Sequence, residues 1–258
     1  MARFFAEMPY QPFPLFSAAH LAALAVIGLV CLSLVVFRRH FRAAERGGLA
    51  GGPWGRLFLF LLVAQQIALY LWYAWLGKFN AATSLPLQVC TASVYLCVAL
   101  WITMSKRVFE VLYFWGVCGA TQALLTPSME GYVYPHFRFW DFFIAHGLIL
   151  VTIFYFLAVK GWRVTLRSLG KSFLWLQVLG VCSMAVNAVT KSNYMFLAWK
   201  PDSASLMDFL PEWPWYLPCL ELVALGLMFL ALIPFAFLRP VPERQPLNGG
   251  PGHSKGEF

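Results

Sequence analysis

Seven stretches of this chain are long and apolar enough to cross a bilayer: residues 16–37, 57–77, 85–104, 109–126, 140–159, 172–190 and 214–238. The hydrocarbon core is about 30 Å thick and a helix rises about 1.5 Å per residue, so a crossing takes about 20 residues. The expected class is therefore an all-α, polytopic transmembrane helical bundle with about seven spans. The fourth stretch is short and the third opens at Pro86, so six or eight spans also fit. Composition excludes a soluble domain. The chain is 60% hydrophobic and 12% charged, with a mean hydropathy of +0.69, too polar-poor to coat a water-facing surface.

Orientation follows from the basic residues that flank the spans. Arg38, Arg39, Arg42, Arg46, Arg56, Lys106, Arg107, Lys160, Arg163, Arg167, Lys171, Arg239, Arg244 and Lys255 fall on one side. Arg3, Lys78, Arg138, Lys191 and Lys200 fall on the other. The richer side is expected to be cytoplasmic, with the N-terminus outside and the C-terminus inside, in the cytoplasmic (inner) membrane. The net charge of +8 then reads as topology plus attraction to anionic lipid, not as nucleic-acid binding. Residues 1–15 lack the basic start of a signal peptide. The expected organisation is one transmembrane domain, 1–238, and a Pro- and Gly-rich disordered tail, 239–258. Two aromatic-rich outer loops, at about 126–141 and 191–216, make the outside the working face, and the second has room for a short helix around Ser203–Leu210.

Charges and polar groups are expensive in hydrocarbon, so their placement is informative. His20, Cys90, Thr121, Gln122, Asp141, His146, Asn187 and Glu221 all fall in the outer half of their spans. The helix rise puts Cys90, His146 and Glu221 within about 5–12 Å of the outer boundary. Pro86, Cys90, Ser93 and Cys97 recur at helical spacing, as do Gln66, Tyr70 and Tyr73 on the second span. Ordinary interhelical hydrogen bonding accounts for such Gln, Thr and Asn residues as well.

A thiol and an imidazole at equal depth have a specific chemical meaning. A buried cysteine is inert until a base takes its proton, and the resulting thiolate suits acyl transfer. Asp141 or Glu221 is expected to hold the imidazole in the right tautomer. The alternative is that Cys90 and Cys219 form a disulfide or simply pack. None of the six cysteines has a zinc-type spacing with histidine, so no metal or other cofactor is expected.

The strings LPLQVC (85–90), GATQALLTP (119–127), PHFRFWDFFIAHG (135–147) and NYMFLAWKP (193–201) resemble the YwaF/TMEM-type integral membrane family, over about residues 16–238. That family resembles in turn an animal acyltransferase of ether phospholipids. The resemblance implies a cysteine that carries an acyl intermediate, matching Cys90, and an assisting histidine, matching His146. Family members often carry histidine where this chain has Gln88, which leaves Gln88 as a hydrogen-bond donor to an oxyanion.

The expected function is a membrane-embedded, phospholipid-dependent transacylase with phospholipid and lyso-lipid substrates. Cys90 and His146 are its expected catalytic pair, and Gln88, Thr91 or Gln122 its expected oxyanion donors. Asn187, Glu221 and Asp141 are expected to support the pair. Two rivals use the same polar layer: an intramembrane lipid hydrolase, and a non-enzymatic seven-span transporter or receptor.

Overall fold

The computed structural model describes residues 2–9, 11–45, 52–129, 131–201 and 206–236, and among them the fold is all-helical. Helix α1 is one turn, Ala2–Phe5, followed by α2 (Ala18–Val36), α3 (Arg38–Ala44), α4 (Gly52–Trp75) and α5 (Val89–Thr103). Then come α6 (Lys106–Trp115), α7 (Thr121–Leu125), α8 (Phe137–Ala158), α9 (Leu166–Thr190) and α10 (Tyr216–Ala236). A π-helical turn, Gly116–Ala120, joins α6 to α7, so that Lys106–Leu125 makes one crossing of 20 residues. Six crossings have the length of a span, and the seventh, α5, is apolar but only 15 residues long. The expected helical bundle is therefore present.

Element ends differ from the hydropathy reading for identifiable reasons. Helix α4 begins before residue 57 and takes in Arg56, and α9 begins before 172 and takes in Arg167 and Lys171. Long basic side chains lay their stems on apolar surface with the charge in the headgroup layer, so a helix continues past the point where hydropathy falls. Thr165 and Ser168 start α9 with a reciprocal capping box. Helix α5 starts later than expected. Pro86 has no N–H and biases Leu85 away from helix, and Gln88 is an extended N-cap (φ −81°, ψ 140°). The tail 239–258 and residues 203–205 lie outside the described residues; next to the latter, Leu206–Phe209 forms a 3-10 turn.

Helix α8 is the centre of the bundle, with Ile149, Ile153, Tyr155 and Phe156 fully buried against α5 and α6. In lipid, helices associate through close packing more than through water expulsion, and small residues permit the approach. A Cβ on Gly116 would stand 2.5 Å from Ile153 Cδ1 and 2.7 Å from Ile149 Cγ2, and one on Gly147 would stand 3.0 Å from Ile27 Cγ1. At Gly116 any side chain would force Ile149 and Ile153 to move, and at Gly147 one would press on Ile27, so both glycines bring α8 close to its neighbours.

Polar contacts define the two ends. At the basic end the Arg42 guanidinium donates to the carbonyls of Val159 (2.6 Å) and Ala158 (2.8 Å), and Glu45 receives Lys160 and the Tyr155 hydroxyl, both at 2.7 Å. At the opposite end Trp72 donates to the Phe5 carbonyl at 2.8 Å, Lys78 pairs with Glu7, and His136 donates to the Ala6 carbonyl at 2.9 Å. The N-terminal segment is thus fastened over the mouths of α4 and α8.

Candidate functional site

Cys90 is the second residue of α5 and is half-buried. Its Sγ lies 3.6 Å from where a Cβ on Gly119 would stand, so it rests against the open side of the π-turn. The thiol makes no hydrogen bond among the described residues, and all six cysteines are free, which removes the Cys90–Cys219 disulfide. The same π-turn packs on α8 at Ile149, three residues beyond His146 and so about 4.5 Å along the axis. Both expected catalytic residues therefore sit on helices that border one turn, and π-turns recur at functional sites.

His146 is buried, with its Nδ1 at 2.7 Å from the Phe142 carbonyl and the Phe142 ring 4.1 Å away, centroid to centroid. A carbonyl only accepts, so Nδ1 carries the proton and the Nε2 lone pair is left for other work. The other two buried histidines are committed at both nitrogens. His20 accepts from Phe16 N–H at 2.9 Å and donates to the Leu124 carbonyl at 2.8 Å. His136 accepts from Arg138 N–H at 3.0 Å and donates to Ala6. Burial also pushes His136 below the usual imidazole range. Of these three, His146 alone keeps an uncommitted ring nitrogen.

The supporting residues separate into two groups. Gln88 stands beside Cys90, and its Oε1 accepts from Met195 N–H at 2.8 Å, which assigns the amide and leaves Nε2 as a donor. Thr91 follows Cys90, half-buried, in the first turn of α5. The remaining four are engaged elsewhere. Gln122 Nε2 donates to Thr126 Oγ1 at 3.0 Å. Asp141 pairs with Arg138 and accepts from Gln65 at 2.7 Å, tying α8 to α4. Glu221 accepts from Gln177, tying α10 to α9. Asn187 brackets Tyr194, donating to its carbonyl at 3.0 Å and accepting its N–H at 2.8 Å. The expected carboxylate partner of His146 is thus replaced by the Phe142 carbonyl.

Two features escaped the sequence reading. The first is the π-turn, whose only signal is the glycine pair in GVCGA. The second is the segment 193–198, bonded to Gln88 at the start of α5, where Met195 (φ 58°) and Phe196 (φ 55°) are both left-handed. Non-glycine residues avoid that region unless their surroundings impose it. Here Gln88 holds Met195 N–H, the Tyr216 hydroxyl donates to the Phe196 carbonyl at 2.7 Å, and Ser183 reaches Met195 Sδ at 3.4 Å. Tyr194 donates its hydroxyl to the Ala81 carbonyl at 2.9 Å and accepts from Leu85 N–H at 3.0 Å, binding this segment to the LPLQ strand of chain.

Apolar crossings with polar side chains gathered at one end define a multi-pass helical membrane protein. A model of the TMEM164 family matches residues 15–232, from just before α2 into α10. The chain belongs to the TMEM164 family. No curated protein and no solved structure matches it.

Proposed function

We propose that the protein is a cysteine-dependent lipid acyltransferase of the inner membrane, acting at the end of the bundle opposite the basic loops. The observation that carries this reading is the state of His146, a buried imidazole with Nδ1–H held by Phe142 and Nε2 left uncommitted, on a helix that borders the same π-turn as the Cys90 thiol. The resemblance of LPLQVC and the HG pair to an acyltransferase points to the same two residues.

In the first half-reaction His146 Nε2 takes the Cys90 proton and the thiolate attacks the ester carbonyl of a phospholipid. The C–S bond forms, the C–O bond breaks, and the imidazolium returns its proton to the departing lyso-lipid oxygen. In the second half-reaction the hydroxyl of an acceptor lyso-lipid gives its proton to His146 and attacks the thioester. The C–S bond breaks, and the leaving thiolate recovers that proton. Gln88 Nε2 is the donor best placed to meet the tetrahedral oxyanion, a contribution of a few kcal/mol in comparable sites. With the basic loops in the cytoplasm this end faces away from acyl-CoA, so the donor is a phospholipid and the reaction a transacylation.

Purified protein in vesicles of phosphatidylcholine with a labelled acyl chain, supplied with a lyso-lipid, tests the reading. Labelled product and a hydroxylamine-sensitive thioester, both lost in Cys90→Ala and His146→Ala, are expected. Unchanged transfer in Cys90→Ala overturns it, and release of free fatty acid alone converts it to hydrolysis.

A further inference from the structure

A second binding feature opens on the lateral face of the bundle, between α4 and α5. It is a cleft of about 220 Å³, lined by Gln66, Ile67 and Tyr70 from α4 and by Val94, Tyr95 and Val98 from α5. Ile67 and Tyr95 are 52% and 40% exposed, so the cleft faces the hydrocarbon and not the interior. Its volume lies below the usual range of about 300–1,000 Å³ for pockets that enclose a whole small molecule, and suits one slender chain.

The polar groups inside specify what that chain carries. Gln66 is buried, and its Nε2, which approaches the Tyr70 hydroxyl, makes no hydrogen bond of normal geometry among the described residues, so at least one of its two hydrogens is unused. An amide donor left so in an apolar setting is costly until an acceptor arrives. The Tyr70 and Tyr95 hydroxyls are 2.8 Å apart and bond each other. That pair holds two hydrogens and uses one between its members, so the second is available to a ligand. The cleft therefore offers two donors in a hydrocarbon-facing, apolar wall. Val94 lies one turn of α5 beyond Cys90, about 6 Å along the axis.

We infer that this cleft holds one acyl chain of a bilayer diacyl glycerophospholipid, with its ester carbonyl accepting from Gln66 Nε2 and the free tyrosine hydroxyl. Hydrocarbon is the solvent on this face, so the occupant is drawn from the lipid itself, and a glycerophospholipid is the lipid that brings an ester oxygen. The inference deepens the acyltransferase reading, and rests on it for one point alone: that the lipid held here by one chain and its ester is the donor whose other ester meets Cys90.

The test uses the full-length protein in vesicles of phosphatidylcholine bearing a diazirine in one acyl chain, with adducts mapped by mass spectrometry, and lipid retention measured on native protein with diester and diether phosphatidylcholine. Adducts on residues 63–70 and 94–98 are expected, with the diester retained about fivefold to thirtyfold more than the diether, the range of one or two hydrogen bonds. Gln66→Leu is expected to weaken that preference several-fold, leaving the tyrosine donor's share, without loss of folding, and Val98→Trp to abolish the adducts. Adducts confined to other helices, or diester and diether retained alike, overturn the inference; if Val98→Trp does not fold, the Gln66→Leu comparison decides. Cys90→Ala separates the two readings. Adducts kept in that variant while no thioester forms in the wild type leave the cleft standing without the catalysis, and transfer without adducts does the reverse.

Discussion

Gln88 Oε1 accepts the Met195 N–H at 2.8 Å, so one amide, two residues before Cys90, pins a left-handed backbone turn and keeps its Nε2 as a donor. The two tasks separate by substitution. Gln88→Glu keeps an acceptor for Met195 and loses the donor, whereas Gln88→Leu loses both. The transfer rate is expected to fall about 100-fold in each, the usual loss for one oxyanion donor. Hydrogen exchange at Met195 is expected to rise in Gln88→Leu only. Equal exchange in both variants refutes the clamp.

His20 and His146 are expected to part company on substitution. His20→Leu strands the Leu124 carbonyl and the Phe16 N–H, at about 2–4 kcal/mol for two buried groups. Its thermal midpoint in detergent drops, while the transfer rate per folded molecule persists. His146→Ala is expected to abolish transfer with a much smaller shift in midpoint, because the Phe142 carbonyl also lies on the helix hydrogen-bond ladder.

The π-turn gives a packing prediction. Gly116→Ala drives a methyl into the Ile149 and Ile153 side chains and is expected to destabilise by about 1–3 kcal/mol, the usual cost of overpacking. Ile153→Val, which removes the closer atom, restores part of this in the double variant. Gly119→Ala meets Cys90 Sγ at 3.6 Å, an ordinary contact, and is expected to be tolerated. Unfolding midpoints of the four variants decide the matter.

Acid is expected to loosen the end of the bundle that carries the N-terminal segment through His136. Burial lowers its pKa below the unfolded value of about 6.5, so the folded state binds its proton less readily than the unfolded state does. The associated stability is complete above about pH 6.5 and is lost as pH falls through the lower folded pKa. Protonation also removes the Nδ1 acceptor that caps α8 through Arg138 N–H. A falling thermal midpoint between pH 7 and 5, flattened in His136→Asn, is the expected result. An unchanged slope in that variant assigns the acid sensitivity elsewhere.

The helices were readable in the sequence because hydrocarbon permits few alternatives. A long apolar run bounded by basic residues has one stable form, and all seven runs take it. Their ends were less readable, since Arg56, Arg167 and Lys171 interrupt hydropathy without interrupting helix. The polar layer was visible as residue types but not as partners. Asp141, Asn187 and Glu221 all lie in the halves of their spans away from the basic loops, yet each is satisfied by a neighbour, Arg138 and Gln65, Tyr194, and Gln177 respectively. Spacing along one helix carries no information about which carbonyl or amide on another will face it. The left-handed pair Met195–Phe196 was invisible for a similar reason, because NYMF contains no glycine and only tertiary contacts hold it.

Helix α5 has 15 residues, which makes it about 22 Å long, against about 30 Å for the hydrocarbon of an average bilayer. Such a mismatch is met by local thinning of the lipid around the short segment. Thinning of the leaflet where α5 begins, just after Gln88, would lower glycerol ester groups toward the level of the thiol, so on the proposed reading the substrate reaches Cys90 without any movement of the protein.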